Sequence, residues 1–550
     1  MQNGVMLNLY PDSLGKDLSQ TAAVLARPEL AGAFRSLYIL PSVFNTDLDH
    51  GFSVISYDLC RDVASPEALQ AIRALGLDIT FDLILNHLSV LSPQFQDVLQ
   101  RGDDSEYRNF FIDWNRFWQG MGPMGEDGCI HPGPEWFTAQ NLRTNRLPLL
   151  MVRFPDGREV PFWNTFYQQV VYQRPTVFDL LQLAGGQYHT AERLAKHIGS
   201  QLDAHHSLPD FSWEGFEAWQ PAAVEWLQAH RHYLGQLDVD SRSPEVWQWY
   251  DRVMAQLAGY GASTIRLDAF TRLHKAPGRS NFMNEPETWH ILARLRDMAA
   301  AHGLSVLPEM HAPYTAMAHR KIADTGSMPY DYYLPGLVLD ALDTADGSFL
   351  YRWLEEQVRC GIRPVNMLGC HDGIPVRDLR GLLPDDRIEA MSDRVVERGG
   401  MRKLIYGARQ ETYQLNTTYF SALGCSERKL LTARAIQMFM PGIPQVWYED
   451  LLAGENDAER LRLHPDLDAR EINRRCYTME QTIARLDRPV VKQQLYLLRL
   501  RNSHPAFAED AAVTAELPEP HRLIITRRRG PDSAQLAVDL SRAEYTLALR

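Results

Sequence analysis

Eight short apolar runs, separated by segments of helical period, constrain this 550-residue chain more than any other feature. They are VMLNLY from Val5, SLYILPSVF from Ser36, DITFDLILNH from Asp78, STIRLDAF from Ser263, LSVLPEMH from Leu304, YDYYLP from Tyr330, PVNMLGCHD from Pro364 and GIPQVWY from Gly442. Strands alternating with helices build parallel sheets, because a helical crossover brings the chain back to run in the same direction. Eight such units match the count of a (β/α)8 barrel. The helices show in their period. In SPEVWQWYDRVMAQLAGYG, Val246, Trp249, Tyr250, Val253, Met254 and Leu257 share one face, with Pro244 in the first turn and Gly259 near the end.

Two gaps break the alternation. Residues 89–240 are far too many for a βα loop and predict an inserted domain, rich first in Trp, Pro and Gly and then helical around TAERLAKHIGSQLDAHH and QPAAVEWLQAHRHYL. Residues 373–424 predict a smaller insertion between strands seven and eight. The barrel is then expected in three pieces: 1–88 with strands 1–3, 241–372 with strands 4–7, and 425–508 with strand 8 and the last helices. RLIITRRR and AQLAVDL alternate with period two and predict a short antiparallel β domain over 509–550.

Apolar residues at 45% and charged residues at 23% are ordinary for a folded soluble protein. A formal charge of -13 supplies no basic field for nucleic acid or an anionic membrane. MQNGVMLNLYPDSLG lacks a basic segment followed by a long apolar one, and no run reaches the length of a membrane span. The six cysteines are scattered without a CxxC pair, as expected of reduced thiols in a cytoplasm. HExxH is missing and the pair His205–His206 lies in a polar stretch, so no metal is expected.

The strand ends carry the chemistry. A (β/α)8 barrel builds its site at the C-terminal ends of its strands, where this chain has Asp268 (strand four), Glu309 (strand five) and Asp372 (strand seven), with His87, Arg266 and His371 nearby. Retaining cleavage of a glycosidic bond uses one carboxylate as nucleophile and another as acid/base, about 5 to 5.5 Å apart. Arg266 lies two residues before Asp268, on the same face of the strand, and is expected to keep that carboxylate ionised. Glu309 is expected to start protonated, its pKa raised by neighbouring acids.

In DLILNH, TIRLDAF, LPEMH and GCHDG the chain resembles glycoside hydrolase family 13, the α-amylase superfamily. LYPDSLG, DHGFSVISYD, LSPQFQDVL, CHDGIP, YQLNTTYFSALGC, PGIPQVWYEDLLAG and REINR narrow the resemblance to the sucrose phosphorylase subfamily. The resemblance implies Asp268 as nucleophile, Glu309 as acid/base and Asp372 as transition-state stabiliser. It implies an α-glucosyl group held by Asp49, Phe52, His87, Arg266, His371, Asp372 and Arg474, and passed to inorganic phosphate to give α-glucose 1-phosphate. Tyr413 and Gln414 would lie beside the phosphate or acceptor, Gln414 among the substrate-binding residues. No cofactor is implied.

Against the subfamily's pattern, FYQQV and GQLDVD stand far apart, which marks an extra helical insertion at about 171–235. Arg143 or Arg146 in LRTNRLPLL stands for the phosphate-binding arginine. Gln410 and Glu411 occupy fructose-contacting positions, and Arg272 a position that is aromatic in sucrose phosphorylases. Glu411 would repel an anionic acceptor and Arg272 attract one. With no cluster of several bases beside these motifs, a neutral acceptor is expected. The subfamily uses fructose, fructose 6-phosphate, glycerol and glycerate. The competing readings are a hydrolase or transglucosylase of the same fold and a non-catalytic carbohydrate-binding barrel, and the chain is expected as a monomer or homodimer.

Overall fold

The computed structural model describes residues 2–137, 147–204, 208–405 and 411–550. All eight runs form strands of one parallel sheet: β1 (Met6–Leu9), β2 (Ser36–Ile39), β3 (Asp78–Ile84), β4 (Ala262–Asp268), β5 (Ser305–Pro308), β6 (Tyr330–Asp331), β7 (Val365–Asn366) and β8 (Ile443–Trp447). Their order is β5-β4-β3-β2-β1-β8-β7-β6, a barrel that is nearly closed. The strands are shorter than the runs that announced them. Pro41 ends β2, because it cannot donate to the ladder, and starts a 3-10 turn at Pro41–Val43. β7 stops at Asn366, so Asp372 lies beyond the ladder in a turn closed by a bridge between Cys370 and Gly373.

Helix Pro244–Gly259 buries Trp249, Tyr250, Val253, Met254 and Leu257, the face its period announced. The Tyr250 hydroxyl donates to the Leu85 carbonyl at 2.6 Å, fastening that helix to the chain leaving β3. Helix Glu287–Ala301 buries Leu292, Leu295 and Ala299 before the chain enters β5.

The chain forms two compact units. The first comprises Met1–Asn86, Trp247–Lys275 and Ser280–Arg550. It holds the barrel, a three-stranded sheet of Ile374–Pro375, Met401–Ile405 and Glu411–Asn416, and a C-terminal antiparallel sheet of four strands from Ala512 to Leu549. The second comprises His87–Val246 and Ala276–Arg279. Among its described residues two apolar centres form. One gathers Trp114, Trp118 and Trp163; the other packs helices Tyr188–Ala204 and Gln220–Ala229 through Leu194, Ile198, Ala223 and Leu227.

Gly442, at the entry to β8, has φ of +85°, and a Cβ there would come 1.8 Å from the Pro364 carbonyl oxygen. That same oxygen accepts the Ile443 N–H at 2.8 Å, so the β7–β8 pairing depends on the close approach. Gly442→Ala is therefore expected to lower unfolding free energy by about 2 kcal/mol or more in a denaturant titration, through combined backbone strain and displacement of Pro364.

Candidate active site

Parallel pairing sets Arg266 of β4 directly opposite Asp82 of β3. Arg266 is 3% exposed, and a guanidinium so far from water needs carboxylates on several sides. It has three. Its Nη1 donates to Asp82 Oδ1 at 2.5 Å and to Asp268 Oδ1 at 3.0 Å, while Nη2 lies 2.7 Å from Glu309 Oε1. Asp82 is fully buried and also accepts the Tyr38 hydroxyl on both oxygens, at 3.0 and 2.8 Å. Burial lifts the Asp82 carboxyl to about 6 despite its Arg266 and Tyr38 bonds.

Asp268 ends β4, and Glu309 follows β5, its Oε2 accepting the Ala269 N–H at 3.3 Å. Burial, and then the adjacent Glu309 charge, push Asp268 well above the ordinary carboxylate range. Burial acts on Glu309 in the same sense, but Arg266 and His311 outweigh it and hold Glu309 below that range. This inverts the sequence expectation, in which Arg266 kept Asp268 ionised and Glu309 began protonated. The reason is the second guanidinium nitrogen: Arg266 serves both acids and lies closer to Glu309. His311 Nε2 adds a contact to Glu309 Oε1 at 3.5 Å, its other nitrogen 3.4 Å from Asp378 and its ring stacked on Tyr332.

The third acid has its own cations. Asp372 Oδ1 lies 3.0 Å from Arg470 Nη1 and 3.6 Å from Arg474 Nη2, and Oδ2 lies 3.3 Å from His371 Nε2. Burial raises the Asp372 carboxyl, but His371, Arg470 and Arg474 together hold it well below the usual range. Burial in turn lowers His371 to about 3, leaving the imidazole neutral at pH 7. The Phe52 ring stacks on His371 at 5.0 Å and lies under the Arg266 guanidinium at 5.8 Å. Arg474 is fully buried and donates to the His371 carbonyl at 2.9 Å, while Gln414 donates to the Asp372 carbonyl at 2.6 Å. Asp49 joins this group through Arg470, whose Nη2 bonds its carboxylate. Arg266, His311, Tyr332, His371 and Asp372 thus line one recess.

Glu411 starts the strand Glu411–Asn416, with Arg380 Nε at 2.8 Å and Arg377 Nε at 3.9 Å. Two bases, Arg377 and Arg380, therefore flank Glu411 where no cluster of several was expected, and they neutralise the carboxylate that was to repel an anion. Tyr413, two residues on, sets its ring edge to His311 at 6.1 Å. The Arg272 guanidinium lies over the Phe282 ring at 5.2 Å.

His87 opens the second unit, where it pairs with Asp238 and packs on Phe166 at 4.6 Å. Arg143, Arg146, Gln410, His205 and His206 lie outside the described residues. Among the described residues, no helix is long and apolar enough to cross a membrane, and no group of three His, Cys, Asp or Glu could hold a metal ion. Sequence reasoning passed over Asp82, Tyr38, His311 and Arg470. Two had a signal: His311 stands two residues after Glu309 in the run read as strand five, where alternation would put both on one face, and Arg470 opens the REINR block from which only Arg474 was taken.

No protein-family model matches the chain. A sucrose 6(F)-phosphate phosphorylase of Ilumatobacter coccineus is 44% identical over 556 residues, covering 100% of this chain and 96% of that protein. A sucrose phosphorylase of Streptococcus mutans is 29% identical over 99% of this chain and 97% of that one. The crystal structure of a sucrose 6F-phosphate phosphorylase from Thermoanaerobacter thermosaccharolyticum superposes with a TM-score of 0.81 at 30% identity, covering 100% of this chain and 96% of that one. With these full-length similarities and the strand-end acids gathered around Arg266, the chain belongs to the sucrose phosphorylase subfamily of glycoside hydrolase family 13.

Proposed function

We propose that the chain is a retaining phosphorylase that moves an α-glucosyl group from sucrose 6F-phosphate to inorganic phosphate, giving α-glucose 1-phosphate and fructose 6-phosphate. The observation that carries the reading is the trio of acids, two of them sharing one arginine, in a chain so similar over its full length to a phosphorylase of that name. Asp268 attacks the anomeric carbon, the bond to the fructosyl oxygen breaks, and Glu309 gives that oxygen its proton. A phosphate oxygen then attacks the glucosyl-enzyme from the face the fructosyl unit vacated, Glu309 takes the phosphate proton, and Asp268 leaves. Asp372, held ionised by its cations, faces the positive charge that develops on the sugar.

The protonation inventory fits this cycle. An Asp268 pushed up beside a Glu309 held down fits a pair that shares one proton, the number that a nucleophile and an acid need between them. Substrate entering between the two carboxyls ends their direct contact, and the proton is then needed on Glu309. On the acceptor side, Arg380 and Arg377 at Glu411 support a sugar phosphate over a neutral sugar. The phosphate-binding arginine would be Arg143 or Arg146. No step in this cycle calls for a cofactor.

Purified protein incubated with sucrose 6F-phosphate, or with sucrose, is expected to form α-glucose 1-phosphate only when phosphate is present, and faster from the phosphorylated donor. Free glucose at the same rate without phosphate would make it a hydrolase, and equal rates from both donors would remove the case for an anionic acceptor.

Glu309→Gln is expected to slow turnover of the natural donor by about 10²- to 10⁴-fold, the usual worth of a general acid. The variant should keep activity on α-glucosyl fluoride, whose leaving group needs no proton. Removing the Glu309 charge lowers the Asp268 pKa, so the ionised nucleophile appears at lower pH than it would beside that charge. In a pH profile of fluoride release, the variant should reach its plateau early and hold it at high pH. The wild-type kcat/KM for the natural donor should instead fall on the alkaline side as the pair loses its shared proton. An alkaline fall of equal size in the variant would refute the shared proton.

A further inference from the structure

His311 is clamped by side chains from two other strand ends. Tyr332, just past β6, stacks on its face with ring centroids 3.8 Å apart. Asp378, in the 3-10 turn Arg377–Leu379 beyond β7, lies 3.4 Å from Nδ1 through Oδ2, while its Oδ1 accepts the Ala312 N–H at 3.0 Å. One buried carboxylate thus fixes both the ring and the backbone that follows it, across 66 residues. The two segments touch again further on, where a Cβ on Gly381 would come 2.4 Å from Thr315 Cγ2. With its face and Nδ1 engaged, the ring presents Nε2 at 3.5 Å from Glu309 Oε1.

A carboxylate oxygen only accepts, so an imidazole set between two of them carries a proton on each nitrogen. The surroundings act the same way: burial lowers His311, but Tyr413, Asp378 and Glu309 outweigh it and raise the ring well above its ordinary value. The other groups facing the ring are set in one state. Arg266 is raised further, Asp372 is held low, His371 is lowered to about 3, and burial pushes the Cys370 thiol up to about 12. Burial also lifts Tyr332 well above a tyrosine's ordinary value, and Tyr413 brings its ring edge to 6.1 Å.

Resting on the glucosyl-transfer reading, we propose that Asp378 is a positioning residue for the acid/base: it turns His311 so that Nε2–H faces Glu309 Oε1 and keeps a cation beside that carboxylate. Glu309 then has two cations at hand. Arg266 is divided among three acids, whereas His311 is tied off by Asp378 on its far side. When phosphate attacks the glucosyl-enzyme, Glu309 must be ionised to take the phosphate proton, and an adjacent imidazolium favours that form.

The alkaline limb of kcat/KM for sucrose 6F-phosphate, where the acid pair loses its proton, tests this. In Asp378→Asn the amide oxygen can still accept the Ala312 N–H, and the amide N–H can donate to Nδ1, so the ring keeps its place and becomes neutral. The ring stands between Asp378 and Glu309, which makes the imidazolium the nearer charge and its loss the larger effect. A cation lowers a carboxyl pKa and its removal raises it, so the limb is expected to move to higher pH by about one unit. An NMR titration of isotope-labelled histidine, with the His311 signal assigned by its loss in His311→Gln, should show the ring titrating at lower pH in Asp378→Asn. On a Glu309→Gln background, Asp378→Asn should leave the pH profile of α-glucosyl fluoride release where it was, because the carboxyl it acts on is gone. Unfolded protein lowers the height of a profile and not its midpoint, so a destabilised variant cannot imitate the shift. A limb that stays or moves to lower pH, a ring that titrates unchanged, or a fluoride profile that moves without Glu309 would overturn the role of Asp378 and leave the phosphorylase reading intact. A wild-type protein that makes no α-glucose 1-phosphate would overturn both.

Discussion

A single buried guanidinium organises this site. Arg266 stands inside the barrel where water cannot solvate it, and is tolerable there because Asp82, Asp268 and Glu309 surround it. The dependence is mutual: three carboxylates this close could not all stay ionised without a cation among them. Asp82, with Tyr38 on its other side, fixes the arginine from below. The two nitrogens of the fork then face two acids at the strand ends. A lysine could not do this, because its charge is a single point on a flexible stem. The close approach of Asp268 and Glu309 and the downward shift of Glu309 both follow from that one planar group.

The same device recurs at Asp372. Arg470 and Arg474 come from the segment after β8, and they set a third carboxylate well below its usual range beside a neutral His371. The site therefore holds one carboxylate pushed down by its own cations and a pair whose two members are displaced in opposite directions. That division suits chemistry in which positive charge builds on a sugar ring while a proton passes to a leaving oxygen.

Much of this was legible in the sequence because it is local. The eight strands showed as apolar runs, and Asp268, Glu309 and Asp372 stood at or just past their ends. The one-residue alternation put Arg266 on the face of Asp268, and the 3.0 Å contact follows from it. What escaped is what joins distant parts of the chain. Asp82 meets Arg266 across 184 residues, and Arg470 meets Asp49 across 421. No period or spacing announces such pairs. The protonation pattern was misread for the same reason, since it turns on the Nη2 contact of Arg266 to a residue of another strand. Glu411 read as a repelling charge because its neutralising partners, Arg377 and Arg380, come from a different turn.

The distribution of these groups separates two tasks. The acids that would handle the glucosyl unit are fixed by β3, β4 and β5, where the ladder hydrogen bonds leave little freedom, and by arginines buried behind Asp372. The charges that would meet the acceptor, Arg377, Arg380 and Glu411, lie on a short 3-10 turn, just past its end, and at the start of a strand outside the barrel sheet. Substitutions in such connecting segments alter charge and shape without disturbing barrel packing. A chain built this way can keep one glucosyl-transfer apparatus while its acceptor changes. Relatives with names as different as sucrose phosphorylase and sucrose 6(F)-phosphate phosphorylase, each aligned over nearly the whole chain, are what that separation leads one to expect.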